Sequence, residues 1–278
     1  GGLEPDRNLH AGEPLFLAID LQDAAGEAEV RLASAVEREW LNEEPVASAN
    51  LTIAEELLWH PSRHQVEARL RTAWLDLVLD EAPAAIRDAA AAARILAREA
   101  ALDFARVIPA VDSAAGSFLA RTRWLATARP DLGLEQLDDT VLKTILPGLC
   151  HGLRSLDELK AADWLSHLQA AVGPDRVAEI DRLAPTHIEA NRKRHRLSYE
   201  PGKPPVLAVR IQDLFGLAET PRIAGDRIPV LLHLLGPNFR PQQVTDDLAG
   251  FWERTYPQVR KELRRRYPKH AWPDNPLG

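Results

Sequence analysis

The chain has 278 residues, of which 45% are hydrophobic and 27% charged, ordinary values for a globular protein with room for two domains or one large one. No run approaches the ~20 uncharged apolar residues of a membrane span, and no charged-then-apolar leader opens the sequence, so a membrane partner is not expected. The single cysteine, Cys150, cannot close an internal disulfide, which points to a reducing cytoplasm; a monomer is expected. The chain has no methionine, so it is expected to be a processed or excised piece, with the C-terminal part of something larger as one candidate. The net charge of −7 is uneven: from Thr186 onward there are 16 Lys+Arg against 10 Asp+Glu, and before it 18 against 31. An acidic body joined to a basic end implies polarity of function; the competing reading is two solvated surfaces.

In chain order, Leu15–Leu21 is an apolar run fit for a strand. Asp23–Gly26 makes a turn, and Ala28–Val36 alternates as a second strand. Leu51–Trp59 is ambiguous. His60–His64 reads as a hairpin turn, and Val66–Leu79 alternates charged and apolar residues. Residues 1–82 thus form a β domain of four or five short strands, a small antiparallel sheet or partly closed barrel. From Pro83 the alanine-rich segment predicts a helix. Further helices are expected at Ser113–Ala128, Leu134–Leu146, Ser155–Val172 and Asp175–Leu183. Ser155 with Glu158 has the pattern of a capping box. Leu156, Leu159, Ala162, Leu165 and Leu168 make one core-facing stripe. Residues 83–184 are a helical block. Residues 185–278 return to mixed α/β structure, with strands in VLAVRI, IPVLLHLLG and QQVT and a turn at Gly236–Pro241. The fold class is α+β.

At the C-terminal end, Thr245 is expected to cap a short helix running through Trp252. Pro257 suits the first turn of a second helix, on which Val259, Leu263 and Tyr267 form an apolar stripe. Two basic clusters stand out: Arg192, Lys193, Arg194 and Arg196 with His195, and Arg260, Lys261, Arg264, Arg265, Arg266 and Lys269. Cations spaced along a backbone bind phosphates, and single-stranded nucleic acid adds a demand for aromatic platforms. These ten cations are the candidate nucleic-acid-binding residues. The plainer reading is that they are solvated or pair with acidic residues such as Glu55 and Glu56. Trp252 and Trp272 read as core anchors before base platforms.

No catalytic, cofactor-binding or metal-binding residues are assigned. There is no G-x-x-x-x-G-K-[ST] phosphate loop, no Asp-Glu-Ala-His tetrad and no G-x-S-x-G elbow. His60 and His64 are interrupted by Pro61 as a metal pair. Cys150-His151 reads as a structural cysteine. Asp138-Asp139 and Asp246-Asp247 read as helix N-terminal charges, and His233 as a buried, satisfied histidine.

The segments Leu207–Gly216, Thr220–Ile223, Pro229–Leu235, Arg240–Trp252 and Tyr256–Pro273, with RYPKHAWP after VRKEL, closely resemble the C-terminal region of the HrpB family of bacterial DEAH-box ATP-dependent RNA helicases. LFLAIDL at Leu15–Leu21, VRLAS at Val30–Ser34 and RLAPTHI at Arg182–Ile188 are similar too. The resemblance implies an oligonucleotide-binding-like (OB-like) barrel in residues 1–82. It also implies a C-terminal domain that packs back on the rest, and a parent enzyme whose motor core uses ATP and magnesium. That motor is absent here, so the chain alone is not expected to hydrolyse ATP. The implied partners are the motor core itself and single-stranded RNA. The alternative is a protein-interaction platform with no direct nucleic-acid contact.

Overall fold

The computed structural model describes residues 15–24 and 27–278. The expected turn at Asp23–Gly26 has its tip, Ala25 and Gly26, outside the described residues. Two compact units divide the chain: residues up to His60 with Val66–Asp88, and Pro61–Gln65 with Ala89–Gly278.

The first unit is antiparallel β. Strands β1 (Phe16–Ala24) and β2 (Glu27–Ala35) form a two-stranded ribbon. A 3-10 turn (Arg38–Asn42) and a short helix α1 (Val46–Asn50) follow. Strands β3 (Leu51–His60), β4 (Gln65–Trp74) and β5 (Leu77–Ala84) make a three-stranded meander. The ambiguous Leu51–Trp59 segment is therefore a strand. Among the described residues the ribbon and the meander share no ladder, so the strands do not close into a barrel. The helical segment Val46–Asn50 intervenes between β2 and β3, and each sheet pairs within itself. Pro83, expected to start the helical block, lies inside β5 opposite Arg69. As β5 is an edge strand, a residue without an N–H is tolerated there.

One face of the meander is ionic. Glu67, Arg69 and Arg71 lie at alternate positions of β4. Arg69 pairs with Glu67 and Glu81, and Arg71 with Glu81 and with Glu56 of β3. The Glu81 carboxyl is held below its usual range, first by the Arg69 hydrogen bond and then by that of Arg71.

The second unit opens with helices α2 (Ala89–Leu102), α3 (Ala114–Ala128), α4 (Asp139–Leu149), α5 (Leu156–Lys160), α6 (Trp164–Val172) and α7 (Pro174–Leu183). Ser113 caps α3 by accepting from the Gly116 N–H, and Asp138 caps α4 by accepting from Val141. The single helix expected over Ser155–Val172 is two helices. Asp163 accepts from the Ser166 N–H and starts α6 afresh, so Trp164 takes the buried position that a continuous stripe assigned to Leu165. The capping box at Ser155 is half formed: its hydroxyl accepts from Glu158 N–H, but the Glu158 carboxylate accepts from Arg154 N–H. Ser155 is instead bridged to Gln65.

The mixed part contains β6 (His187–Ala190), β7 (Lys193–Ser198), β8 (Val206–Arg210), the short pair β9 (Arg222–Ile223) and β10 (Ile228–Pro229), β11 (Leu231–Leu235) and β12 (Pro241–Thr245). Five of these form one sheet in the order β12-β11-β8-β7-β6, with β8 and β11 parallel and the other pairs antiparallel. Leu207, Val209, Leu232 and Leu234 give the sheet a buried face. Helices and sheet share a core: the Trp124 indole donates to the Lys203 carbonyl and packs edge-on to Tyr199, and Arg129 donates to the Ala224 carbonyl. The chain ends in α8 (Leu248–Gly250), a π-helical stretch (Phe251–Thr255) and α9 (Tyr256–Arg266).

Candidate nucleic-acid interface

Helix α9 begins where the sequence requires. Pro257 would drive its ring into the carbonyl four residues back in a regular helix. The backbone widens just before it, and the Tyr256 N–H reaches the Phe251 carbonyl in a π-turn. The upstream cap is not Thr245. Asp247 accepts from Gly250 N–H, while the Thr245 hydroxyl accepts from Asp247 N–H. The helix is anchored by an aromatic cluster of Phe215, Phe251, Trp252 and Tyr256, with ring centroids 5.0–6.2 Å apart. Trp252 donates to the Leu217 carbonyl, Tyr256 to that of Pro273 and Trp272 to that of Tyr267. Both tryptophans are buried core anchors.

The basic residues divide sharply. Arg260 is turned inward: its Nε donates to the Trp272 carbonyl at 2.9 Å and its guanidinium pairs with Asp274. It clasps the C-terminal tail. Lys261, Arg264, Arg265, Arg266 and Lys269 are exposed, with no ion-pair partner among the described residues. Lys261, Arg264 and Arg265 stand at i, i+3 and i+4 and share one face. Their place in the last turns also favours the helix, because cations complement the negative end of its dipole.

The other cluster folds as a hairpin. Asn191 and Arg192 both have positive φ, 49° and 59°, and make the tight turn between β6 and β7. Lys193 donates to Asp213 at 2.6 Å, and Arg210 donates to the same carboxylate at 3.1 Å. Burial works against ionisation of Asp213, but the hydrogen bonds from Lys193 and Arg210 outweigh it, and the carboxyl is held below its usual range. Arg194 is exposed opposite Glu189. Arg196 reaches the Asp112 carbonyl at 3.4 Å. His195 keeps a buried Nε2 with no partner among the described residues.

Asp213 lies in the 3-10 turn Ile211–Leu214 that follows β8. Phe215, two residues on, packs against Trp252 and Tyr256. Both basic clusters are therefore fixed to one short segment. Glu55 and Glu56 pair with Arg87 and Arg71 and take no part.

The remaining candidates are structural. Cys150 is buried and its thiol is pushed up to about 11 by burial, which leaves no thiolate at neutral pH. No group of three or more His, Cys, Asp or Glu side chains fit to hold a metal occurs among the described residues. His64 lies 2.9 Å from the Arg106 guanidinium, through Nε2. His233 is only partly buried, because it sits on the β11 face opposite Leu232 and Leu234.

One residue of interest carried no flag in the sequence. Phe239, in the turn between β11 and β12, is 67% exposed, and the Arg210 guanidinium lies 5.4 Å from its ring centroid. The Gly236–Pro241 turn is evident from its glycine and prolines. The outward-facing ring in a left-handed backbone, φ 60°, is not.

Residues 145–276, which contain the mixed sheet and the basic C-terminal helix, are similar to the family described as ATP-dependent helicase C-terminal. The chain is 37% identical to the ATP-dependent RNA helicase HrpB of Escherichia coli (strain K12) over 165 residues, which is 58% of this chain and 20% of the relative. The crystal structure of the E. coli DExH-box NTPase HrpB superposes with a TM-score of 0.66 at 28% identity, covering 95% of this chain and 33% of that one. A crystal structure of the Escherichia coli DEAH/RHA helicase HrpB gives 0.58 at 25% identity, covering 92% and 32%. The chain thus spans about a fifth of the curated relative and a third of the solved chains.

Proposed function

We propose that this chain is the nucleic-acid-contacting accessory region of an HrpB-like ATP-dependent RNA helicase, working in the cytoplasm beside a motor core that binds ATP and magnesium. The observation that carries this reading is α9: four exposed cations on the helix, Lys261, Arg264, Arg265 and Arg266, with Lys269 just past its end, and an opposite side locked by the buried Tyr256 and Leu263. A helix held in this way needs no backbone ordering to track a phosphate backbone; only the Lys and Arg side chains lose rotamer freedom. Three phosphate contacts from Lys261, Arg264 and Arg265 correspond to a salt slope of about −2 on single strands, or roughly a 20-fold loss of affinity between ~50 and ~200 mM salt. Fluorescence anisotropy with labelled single-stranded RNA tests it. The triple variant Lys261→Glu/Arg264→Glu/Arg265→Glu should lose binding, and salt-insensitive or absent binding by the parent chain would refute it.

We read the N-terminal unit as an opened counterpart of the OB-like barrel. Its five antiparallel strands support that reading, but its ionic face matches three glutamates with two arginines and so offers no net positive charge. A second reading, docking on the motor or another protein, is favoured by one observation: Phe16, Leu17, Ile19, Leu32, Trp40 and Ile53 of this unit are exposed. Apolar surface gathered in one unit is what a protein interface buries. Capture of a separately made motor core by the chain, lost on Leu17→Asp/Ile19→Asp, would support it.

A further inference from the structure

We infer that Phe239 is a base-stacking platform, and that the end of the five-stranded sheet around it is a second contact for single-stranded nucleic acid. This rests on the proposed nucleic-acid function and extends it to a site outside the two basic clusters.

The topology gathers the site. β8 ends at Arg210, and the register sets Leu235, the last residue of β11, opposite both Arg210 and Pro241, the first residue of β12. β6 ends at Ala190 opposite Lys193, the first residue of β7. The 191–192 turn, the Arg210–Asp213 turn and the 236–240 turn therefore all lie at the same end of the sheet.

Side chains join them. Arg210 faces the Phe239 ring and donates to Asp213, and Asp213 receives Lys193, which adjoins the exposed Arg192 and Arg194. Arg240, the next residue in the chain after Phe239, is also exposed. An exposed aromatic ring and three exposed arginines, Arg192, Arg194 and Arg240, thus share one end of the sheet; Glu189, opposite Arg194, is the exposed acid of this hairpin.

Phe239 is poorly explained by folding. Its ring is 67% exposed, and its backbone has φ 60°, a conformation that glycine or asparagine adopts with less strain. A strained, outward-facing aromatic is the kind of outlier from which a functional role is inferred. Every base has a π-face, so a ring of this kind takes any base of a single strand, while the arginines take its phosphates. Asp213 has a definite task here. It neutralises Lys193 and holds Arg210 in place beneath the ring.

The test uses the whole chain and a labelled oligouridylate of about twelve nucleotides. Phe239→Gly removes the ring and relieves the positive φ, so it should fold with unchanged or higher Tm. It should bind about tenfold more weakly, with the salt slope unchanged because no phosphate contact is lost. Phe239→Leu, which keeps bulk without a π-face, should lose as much, and Phe239→Trp should bind as well as the parent or better. A fluorescent adenine analogue in the oligonucleotide should be quenched by the parent and not by Phe239→Gly. If the parent binds and Phe239→Gly binds within about twofold of it, this inference is overturned alone. If the parent binds no oligonucleotide at any salt, the proposed function falls with it.

Discussion

Asp213 is the residue on which the basic hairpin and the aromatic turn both depend. It is 6% exposed and receives Lys193 and Arg210. Its folded carboxyl titrates below the ordinary value, so the unfolded chain binds the proton more readily. The stability it lends is complete above the usual carboxylate range, near pH ~4, and is lost as pH falls through the depressed folded value. Asp213→Asn should therefore cost about 1–2 kcal/mol at pH 7, discounted because both cations are partly exposed, and the difference from the parent should shrink in acid. Urea titrations at neutral and acid pH measure this; an equal deficit at both would contradict it. Gly116 makes a separate case. A Cβ there would lie 1.9 Å from the Ala110 carbonyl oxygen, a backbone atom that cannot swing aside. Gly116→Ala should destabilise by about 1–3 kcal/mol through overpacking, despite alanine's better helix propensity; a rise in Tm would refute the close approach.

At the scale of elements, the sequence was informative where a local signal and the tertiary structure agreed. Ser113 caps α3 and Asp138 caps α4 because the hydroxyl and carboxylate satisfy orphan N–H groups without help from elsewhere. Pro257 marks the start of α9, and Trp252 and Trp272 are core because their indoles find carbonyls. Ser155–Val172 misled because leucine spacing carries no mark of the break: Asp163 restarts the helix and Trp164 claims the core position. Arg260 and Lys193 are indistinguishable in sequence from their neighbours, and only their partners Asp274 and Asp213, 14 and 20 residues away, remove them from the free surface. Arg260→Ala should therefore act differently from Arg264→Ala. It should free the tail and lower Tm, while Arg264→Ala should leave the unfolding free energy within about 0.5 kcal/mol of the parent and weaken RNA binding. Thermal melts and binding curves on the two variants separate the roles.

At the scale of the whole molecule, the charge asymmetry read from the sequence has a structural counterpart. The β unit spends Arg69, Arg71 and Arg87 on its own glutamates. The second unit leaves cations exposed on α9 and on the β6–β7 hairpin, both fixed to the segment that follows β8. In the first unit the strands β1 and β2 were legible, Leu51–Trp59 was ambiguous, and the run Val66–Leu79 hid the turn that separates β4 from β5; the failure to close was not legible, because closure depends on which strands pair across Val46–Asn50. No helix among the described residues is long and apolar enough to cross a membrane. Nucleic-acid contact by the exposed face of α9 is what we propose for this region. The most direct measurement is anisotropy of labelled single-stranded RNA titrated with the chain at low and physiological salt, beside Lys261→Glu/Arg264→Glu/Arg265→Glu. Binding by the parent should fall roughly 20-fold over that range and be lost in the variant with Tm preserved. Equal binding by parent and variant, or none by the parent at low salt, would contradict it.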